Sequence, residues 1–386
     1  MRILHCIRSV NPLGGGPIEG IKQLAAVNVA AGHEVEIVSL DSPNDSYIAG
    51  CGVTVYALGT TNIGYGYARR YVPWLQRHAK TYDAVIVNGI WQYSSFGVWR
   101  ALHGSATPWF VFPHGMLDPW FKQRYPLKHL KKWLYWPWAE YRALRDARAV
   151  LFTCEDERLL ARESFWLYRC RERVVNYGTA MPPGDPDRQR MAFLEQYPHL
   201  RDKRIVLFLG RLHEKKGPDL AIRAFFEAVR DPEAHLVLAG PAATPEYGSW
   251  LERMVDDPTR VTFTGMLSGD LKWGAYRTAE CFILPSHQEN FGIAVVEALA
   301  CAVPVLISNK VNIWREILSS GVGFVESDTS EGTAKLLRRW FEVCKTEREA
   351  MRVKATDTFA ERFEIHRAAL SLLDTIRSLL DHPSHV

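Results

Sequence analysis

The feature that most constrains the fold is a repeated alternation of short, β-branched apolar runs with helical patterns, which is typical of parallel α/β sheets. Helices are predicted between the strands of the first half, for example at Ile18–Ala31 and Pro126–Arg145. Apolar residues on both faces of the strands indicate a sheet covered on both sides. These strands are predicted at Arg2–Ile7, Glu34–Leu40, Val53–Leu58, Ala84–Asn88, Trp109–Phe112 and Ala149–Thr153.

The same alternation restarts after a proline-rich stretch at residues 180–186, where we place a hinge within Asn176–Tyr197. A chain of 386 residues also exceeds the usual size of one core. The sequence therefore predicts an α/β protein with two facing, doubly wound, Rossmann-like domains and ligands in the interdomain cleft. The second-half strands are predicted at Arg204–Leu209, His235–Ala239, Val261–Thr264, Cys281–Leu284 and Val305–Ile307, with helices at Pro218–Val229 and near 246–255 and 291–302.

Composition excludes several classes of protein. A formal net charge of +4 is too small for a dedicated nucleic-acid binder, so no nucleic-acid partner is expected. The seven cysteines show no paired spacing, which favours free thiols in a reducing compartment. The N-terminus reads as a strand and no long apolar run follows, so we expect a cytoplasmic protein.

A glycine-rich loop follows the first strand and leads into a helix. In this loop Gly15 and Gly16 allow backbone N–H groups to approach a ligand, and the helix N-terminus favours an anion. The loop lacks the Gly-x-Gly-x-x-Gly pattern of dinucleotide sites, which argues against a dehydrogenase. A tight turn that binds nothing explains this loop equally well.

A basic loop at residues 210–217 follows the first strand of the second half. It places Arg211 and Lys216 at the carboxyl end of that strand. A guanidinium can hold two phosphate oxygens, and an ammonium adds a compact positive charge. The loop therefore suits a diphosphate, although basic loops are also common on protein surfaces.

The most informative segment, residues 286–300, carries Glu289 in a loop and Glu297 within the following helix. The helical neighbours of Glu297 are apolar, and a carboxylate there is costly unless a partner binds it. A ribose diol fits that role, and the backbone at residues 290–292 lies at the helix start, where phosphate binds well. The alternative for Glu297 is a solvated surface side chain.

Together these loops resemble the retaining glycosyltransferases of family 4, which have the GT-B fold. The resemblance covers nearly the whole chain. It implies an acceptor domain at residues 1–180, a nucleotide-sugar donor domain at 181–355 and a C-terminal helix within 356–386 that packs back on the first domain. It rests on the two glutamates with seven residues between them, Asn290-Phe291-Gly292 in that interval, Gly210-Arg211 with Lys216-Gly217, Gly14-Gly15-Gly16, and Gly32-His33-Glu34-Val35.

The resemblance implies a role for each of these residues. Glu297 would hold the donor ribose, and Glu289 would contact hydroxyls of the transferred sugar. Arg211 and Lys216 would neutralise the diphosphate leaving group. Further donor contacts are implied for Gly15, Gly16, Asn290, Phe291 and Gly292, and His114 would face the reacting sugar.

Fixed cations and helix N-termini can stabilise the leaving diphosphate without a metal ion. We therefore expect no metal and no cofactor, with GDP-mannose or a UDP-hexose as the donor and GDP-mannose slightly favoured. Retention of configuration follows from the resemblance alone. The implied reaction is transfer of a hexose to a glycan or polyprenyl-linked acceptor in bacterial envelope, lipopolysaccharide or exopolysaccharide synthesis.

Residues 119–148 combine many lysines and arginines with interleaved tryptophans and tyrosines. Such a stretch suits the headgroup region of an anionic membrane, which would place the protein at the inner face of the plasma membrane. The alternative is that this stretch packs inside the first domain and its tryptophans form core. Both interpretations stay open at the level of sequence.

Two other functions are compatible with the motifs. A nucleotide-sugar epimerase of the same fold would need no acceptor and would return an isomeric nucleotide sugar. A non-catalytic nucleotide-sugar binding protein would have no need for Arg211, Lys216, Glu289 and Glu297 together. The sequence therefore favours the transferase.

Overall fold

A computed structural model of the protein describes residues 1–59 and 64–381. The chain forms two compact units, one of Met1–Ala180 with the segment from Ile365 onward, and one of Met181–Glu364. Each unit is built around a single parallel sheet. The predicted α/β class with two Rossmann-like domains is confirmed.

The first unit contains the seven parallel strands β1 (Arg2–Ile7), β2 (Glu34–Ser39), β3 (Thr54–Ala57), β4 (Ala84–Asn88), β5 (Trp109–Phe112), β6 (Ala149–Phe152) and β7 (Glu172–Val174). Their spatial order is β3-β2-β1-β4-β5-β6-β7. Every residue of β4, β5 and β6 is buried, as expected of strands covered on both faces. The order reverses between β1 and β4, and ligands of doubly wound sheets bind at such a switch point.

The helices of the first unit are α1 (Gly16–Ala30), α2 (Tyr71–His78), α3 (Tyr93–Leu102), α4 (Trp120–Arg124), α5 (Pro126–Tyr135), α6 (Glu140–Asp146) and α7 (Glu155–Ala161). The single helix predicted at Pro126–Arg145 is wrong. A 3₁₀ turn at Trp136–Trp138 separates α5 from α6, because Pro137 cannot continue the hydrogen-bond ladder of an α-helix.

The second unit contains the six parallel strands β8 (Arg204–Leu209), β9 (Ala234–Ala239), β10 (Val261–Gly265), β11 (Cys281–Leu284), β12 (Val305–Ser308) and β13 (Gly323–Glu326). Their order is β10-β9-β8-β11-β12-β13, with the reversal between β8 and β11. The helices are α8 (Pro186–Gln196), α9 (Pro218–Ala228), α10 (Pro245–Arg253), α11 (Gly269–Thr278), α12 (Ile293–Ala300), α13 (Trp314–Ser320), α14 (Ser330–Glu342) and α15 (Lys345–Thr358).

The hinge predicted across Asn176–Tyr197 extends too far toward the C-terminus. Helix α8 begins at Pro186, and the carboxylate of Asp185 caps it by accepting a hydrogen bond from the backbone N–H of Arg188. Proline is favourable in the first turn of a helix, where its missing N–H has no partner to lose. The proline-rich composition therefore marks a helix start at this point.

The C-terminal segment also differs from the single helix predicted within residues 356–386. A π-helical turn at Phe359–Phe363 belongs to the second unit, and the final helix α16 (Ile365–Asp381) belongs to the first. Within the first unit α16 packs on α1, and the guanidinium of Arg148 donates to the carbonyl of Leu379 at 2.8 Å.

Candidate active site

In the second unit, the loops after β8 and β11 meet at the switch point of the sheet. The Nζ atom of Lys216 contacts the carboxylate of Glu289 there, although the two residues are 73 positions apart. Both side chains are mostly buried, with 24% of Lys216 and 16% of Glu289 exposed. The topology therefore brings together the cation and the carboxylate that the sequence singled out separately.

The ammonium of Lys216 lies in a strongly cationic loop. Burial, with added repulsion from Lys215 and Arg211, lowers the pKa of Lys216 to about 7, while the touching Glu289 carboxylate acts in the opposite direction. A lysine held near its titration point responds strongly to an arriving anion. A diphosphate at this loop would favour the charged form.

The backbone fixes the position of Glu289. Its N–H donates to the carbonyl of Lys310 at 2.9 Å, and its carbonyl accepts from the N–H of Asn312 at 3.0 Å. Three residues later, Gly292 adopts a left-handed conformation (φ 79°) as the N-cap of α12. The helix therefore begins at Ile293, two residues after its predicted start.

Residues 290–292 connect Glu289 to α12. Asn290 is half-buried, and Phe291 is only 5% exposed because its ring packs edge-on against Phe363 at 5.8 Å. A side chain added at Gly292 would approach Val311 Cγ1 to 3.1 Å and would also require the unfavourable positive φ. The backbone of these three residues therefore forms the turn that leads from Glu289 into α12.

Glu297 is buried within α12, with 7% exposed. One carboxylate oxygen accepts from Lys272 Nζ at 2.6 Å and the other from the Tyr276 hydroxyl at 3.1 Å. Both donors lie on α11, one helical turn apart. The solvated-surface alternative for Glu297 is therefore wrong, and protein groups compensate the buried charge even without a ligand.

Arg211 and its neighbours complete the basic loop. Arg211 is exposed, and in the described parts of the chain its side chain forms no ion pair. Burial lowers the pKa of His213, whereas a 2.8 Å contact with Asp328 raises the pKa of His287. The loop therefore offers one exposed guanidinium next to the partly buried ammonium of Lys216.

In the first unit, the glycine loop follows β1 at the switch point. Gly15 has φ 76° and is the N-cap of α1, and Gly16 is the first residue of that helix. Both are exposed, and a Cβ built at either would meet no atom of another described residue within 4 Å, the chain neighbours aside. The space above this helix N-terminus is open, as an approaching ligand requires.

His114 follows β5 and is half-buried, with a left-handed backbone (φ 50°). Its Nε2 lies 3.2 Å from Asn88 Oδ1, and Asn88 Nδ2 lies 3.1 Å from Nδ1 of the buried His5. The amide of Asn88 is oriented by a further bond from Nδ2 to the carbonyl of Ile86 at 3.1 Å. His114 is thus the end of a polar chain that reaches into the sheet.

The contact with Asn88 determines which ring nitrogen of His114 carries the proton. Asn88 Oδ1 can only accept, so His114 carries its proton on Nε2 and keeps Nδ1 as an acceptor. Burial lowers the pKa of His114 to about 4, and that of His5 also to about 4, so both rings are neutral near pH 7. His114 can therefore accept a hydrogen bond from a hydroxyl but does not supply a positive charge.

Sequence reasoning missed four of these residues. Lys272 and Tyr276 have a recognisable i, i+4 spacing, but only the fold brings them to Glu297 of α12. Asn88 and His5 lie in strands whose apolar pattern hides polar members. A polar residue that ends a buried strand, as Asn88 does, is the signal that was available.

The basic aromatic stretch divides into buried and exposed parts. Trp136 is fully buried, but α5 has no buried side chain. Leu127, Leu130 and Leu134 recur on one face of α5, and the exposed fraction of Leu127 reaches 83%. The core interpretation therefore holds for Trp136 and fails for α5. We call the exposed residues Leu127, Leu130, Trp133, Leu134 and Trp138 the α5 patch.

Beside the α5 patch is a cavity of about 60 Å³. Lys128, His129 and Lys132 line it together with Met116 and Asp118 of the segment that follows His114. This places three basic side chains close to the His114 loop. Within residues 1–59 and 64–381, no helix has the length and hydropathy needed to cross a bilayer.

Two family models together match most of the chain. The model described as "Glycosyl transferase 4-like domain" matches residues 15–178, and "Glycosyl transferases group 1" matches residues 190–357. A Mycobacterium tuberculosis GDP-mannose-dependent α-(1-6)-phosphatidylinositol dimannoside mannosyltransferase is 27% identical over 98% of this chain and 97% of its own length. A D-inositol 3-phosphate glycosyltransferase of Rhodococcus opacus is 31% identical over 52% of this chain and 45% of its own length.

Solved structures agree on the fold. HepE of Anabaena in complex with UDP matches with a TM-score of 0.79 at 18% identity, covering 98% of this chain and all of that one. WaaG, a glycosyltransferase involved in lipopolysaccharide biosynthesis, matches with a TM-score of 0.67 at 16% identity, covering 97% and 99%. The fold is that of GT-B glycosyltransferases, and the family models and relatives identify the chain as a glycosyltransferase that uses a nucleotide sugar. The chain belongs to glycosyltransferase family 4, with the GT-B fold.

Proposed function

We propose that this enzyme transfers a hexose from a nucleoside-diphosphate sugar to a glycan or lipid-linked acceptor in bacterial envelope or exopolysaccharide synthesis, with retention of anomeric configuration. The observation that carries the proposal is the contact between Lys216 and Glu289 at the switch point of the second unit. A donor diphosphate competes with Glu289 for Lys216. The carboxylate that is released then accepts hydrogen bonds from hydroxyls of the hexose.

The remaining residues of the second unit contact different parts of the donor. Glu297, already held by Lys272 and Tyr276, accepts from the ribose hydroxyls. Arg211 and Lys216 stabilise the negative charge that develops on the leaving diphosphate, which is the function of a metal ion in other transferases. The proposal therefore includes no metal ion and no organic cofactor.

In the first unit, His114 orients the reacting sugar. Its neutral ring keeps Nδ1 as an acceptor for one sugar hydroxyl, because Nε2–H donates its hydrogen bond to Asn88 Oδ1. The open N-terminus of α1 at Gly15 and Gly16 accommodates the anionic part of the donor. Neither contribution requires His114 to act as an acid.

GDP-mannose is the donor that we favour, with a UDP-hexose as the alternative. The Mycobacterium tuberculosis relative, which aligns over almost the full length of both chains, is named as GDP-mannose-dependent and acts on a phosphatidylinositol dimannoside. HepE, in contrast, has been solved with UDP. Residues 240–247 follow β9, and residues 264–267 cover the end of β10 and the start of the loop after it. Both segments are the expected determinants of the base.

A lipid-linked acceptor agrees with the surface of the first unit. The α5 patch is apolar, and the surrounding Lys122, Arg124, Lys128 and Lys131 complement an anionic membrane. The nearby cavity lined by Lys128, His129 and Lys132 suits a phosphate group of the acceptor. We therefore place the enzyme at the inner face of the plasma membrane, with the α5 patch in the headgroup layer.

The donor and the reaction are tested with purified protein. GDP-mannose, UDP-glucose, UDP-galactose and UDP-N-acetylglucosamine are each incubated with lipid-linked glycan acceptors and analysed by mass spectrometry, with and without EDTA. We expect one donor to give a glycosylated acceptor, EDTA to leave the rate unchanged, and NMR of the product to show the donor's anomeric configuration. Recovery of an isomeric nucleotide sugar would instead identify an epimerase, and binding without turnover would identify a non-catalytic protein.

The membrane contact is tested by flotation with vesicles. The wild-type protein is expected to float with phosphatidylglycerol vesicles at low salt and not with phosphatidylcholine vesicles. The double variant Leu127→Gln/Leu134→Gln should stay in solution. Leu370→Gln on α16 is the matched control, because it removes a leucine whose exposure (58%) is close to that of Leu134 (60%) from a different helix of the first unit. Equal flotation of all three proteins would contradict the assignment of the α5 patch.

A further inference from the structure

A second cationic site lies in the second unit, at the edge of the sheet opposite the donor loops. A cavity of about 340 Å³ opens where β8 and β11 begin. It is lined by residues 202–205 before and within β8, by residues 277–280 before β11, and by side chains of α8 and α15. Because the donor loops follow the carboxyl ends of these same strands, the cavity is separate from the active site.

The lining carries an excess of positive charge. Five cationic side chains line the cavity against two carboxylates, a net charge of three positive. One of those carboxylates, Glu280, already accepts from Arg204 at 2.6 Å, Arg348 at 3.2 Å and Trp340 Nε1 at 3.0 Å. The five cationic residues are Arg190, Lys203, Arg204, Arg277 and Arg352.

Three of these cations have no carboxylate of their own. In residues 1–59 and 64–381, neither Arg190, Arg277 nor Arg352 forms an ion pair; Arg277 donates to the amide of Gln189 at 3.1 Å and Arg352 to the carbonyl of Ala279 at 3.3 Å. Arg204 and Lys203, in contrast, are paired with Asp231 and Glu233. Like charges gathered in a partly enclosed space repel one another unless an anion joins them.

The pKa of Arg352 also indicates that its positive charge is incompletely compensated. Burial lowers the pKa of Arg352 and repulsion from Arg190 adds to this, although the nearby carboxylates of Glu349 and Glu280 act in the opposite direction, so the charged form is held at an electrostatic cost. Planar guanidinium groups bind phosphate oxygens in pairs. The volume is that of a small-molecule site rather than of a macromolecular surface.

We propose that this cavity is a second binding site for a small phosphorylated molecule that carries at least two negative charges. Arg190, Arg277 and Arg352 supply the hydrogen bonds to its phosphate oxygens. The proposal is independent of the identity of the sugar donor, because none of these residues lies in the donor loops.

Inorganic pyrophosphate is the probe, and its binding is measured by isothermal titration calorimetry at low ionic strength. The variant Arg211→Gln/Lys216→Gln first removes the donor diphosphate site. We expect this protein to retain one site for pyrophosphate. Adding Arg190→Gln should weaken that site by about tenfold or more, because one charge-assisted hydrogen bond is lost.

Arg190 is exposed and has no ion pair in the described chain, so its replacement leaves the fold intact. A second variant, Arg277→Gln/Arg352→Gln, should abolish the remaining site, with circular dichroism and the melting temperature as checks on folding. Arg338→Gln on α14 is the matched control and should bind like the parent. Absence of pyrophosphate binding to the Arg211→Gln/Lys216→Gln protein, or an unchanged dissociation constant after Arg190→Gln, would overturn the proposal.

Discussion

Binding of a nucleotide sugar is expected to draw a proton onto Lys216, because burial and repulsion from Lys215 and Arg211 lower the pKa of that lysine to about 7. Only the ammonium form can pair with a diphosphate, and the bound dianion raises the pKa of the same group. The affinity for the donor should therefore be highest below pH 7 and fall as the pH rises through the pKa of the free state. A nucleotide sugar is the right ligand, since its diphosphate diester does not titrate in this range.

The size of the effect follows from the free-state pKa. At pH 7 about half of the free protein carries the proton, and at pH 8 about one molecule in eleven does. The dissociation constant is thus expected to rise roughly fivefold between pH 7 and pH 8, and about tenfold over the next unit. Calorimetry in buffers of different ionisation enthalpy should show uptake of about 0.5 proton at pH 7 and about 0.9 at pH 8.

Other titrating groups lie near Lys216, and a matched variant separates them. His213 lies in the same loop and His287 is paired with Asp328. Lys216→Arg keeps the positive charge at every accessible pH, because guanidinium does not deprotonate. Its affinity should be independent of pH between 6.5 and 8.5, apart from a smaller contribution of the histidines. If the variant showed the same pH dependence as the wild type, Lys216 would not be the responsible group.

Three further variants test other contacts. Glu297→Gln should raise KM for the donor by about ten- to a hundredfold through loss of a charge-assisted hydrogen bond, and an unchanged KM would remove it from the ribose site. His114→Asn tolerates the left-handed backbone and should lower kcat by about tenfold or more without changing the melting temperature; an unaltered kcat would argue against its contact with the sugar. Gly274→Ala should destabilise the protein by about 1–3 kcal/mol, because the added Cβ would lie 2.2 Å from a backbone oxygen of α8, whereas Gly50→Ala, which meets no atom within 4 Å, is the control in the same thermal melt.

Much of the fold was accessible from the sequence because central parallel strands are apolar on both faces. The central strands β1, β4, β5, β8 and β11 have their predicted bounds. The two strands that were missed, β7 and β13, lie at sheet edges, where pairing on one side tolerates charged residues such as Glu172 and Arg173. Their sequences lack the continuous apolar run on which the prediction depended.

The candidate site could be predicted only in part from the sequence, for a different reason. Lys216 and Glu289 each follow a strand next to the switch point, so topology alone predicts that they lie on the same edge of the sheet. The partners of Glu297 lie on α11, which is separated from α12 by β11, and helix packing is not encoded in local spacing. A direct bond between Lys216 and Glu289 was likewise not expected, since each was assigned to a different part of the donor.

Helix α11 connects Glu297, the residue proposed to bind the donor ribose, with the cationic cavity. Near its middle, Lys272 and Tyr276 hold the carboxylate of Glu297, and at its end Arg277 lines the cationic cavity. The side-chain amide of Gln189 on α8 accepts a hydrogen bond from Arg277 and donates one to Asp270, so α8 contacts α11 near both of its ends. If α11 couples the two proposed sites, the coupling must act equally in both directions. A ligand in the cavity would then change the binding free energy of the donor by some amount. The bound donor would change the binding free energy of the cavity ligand by the same amount.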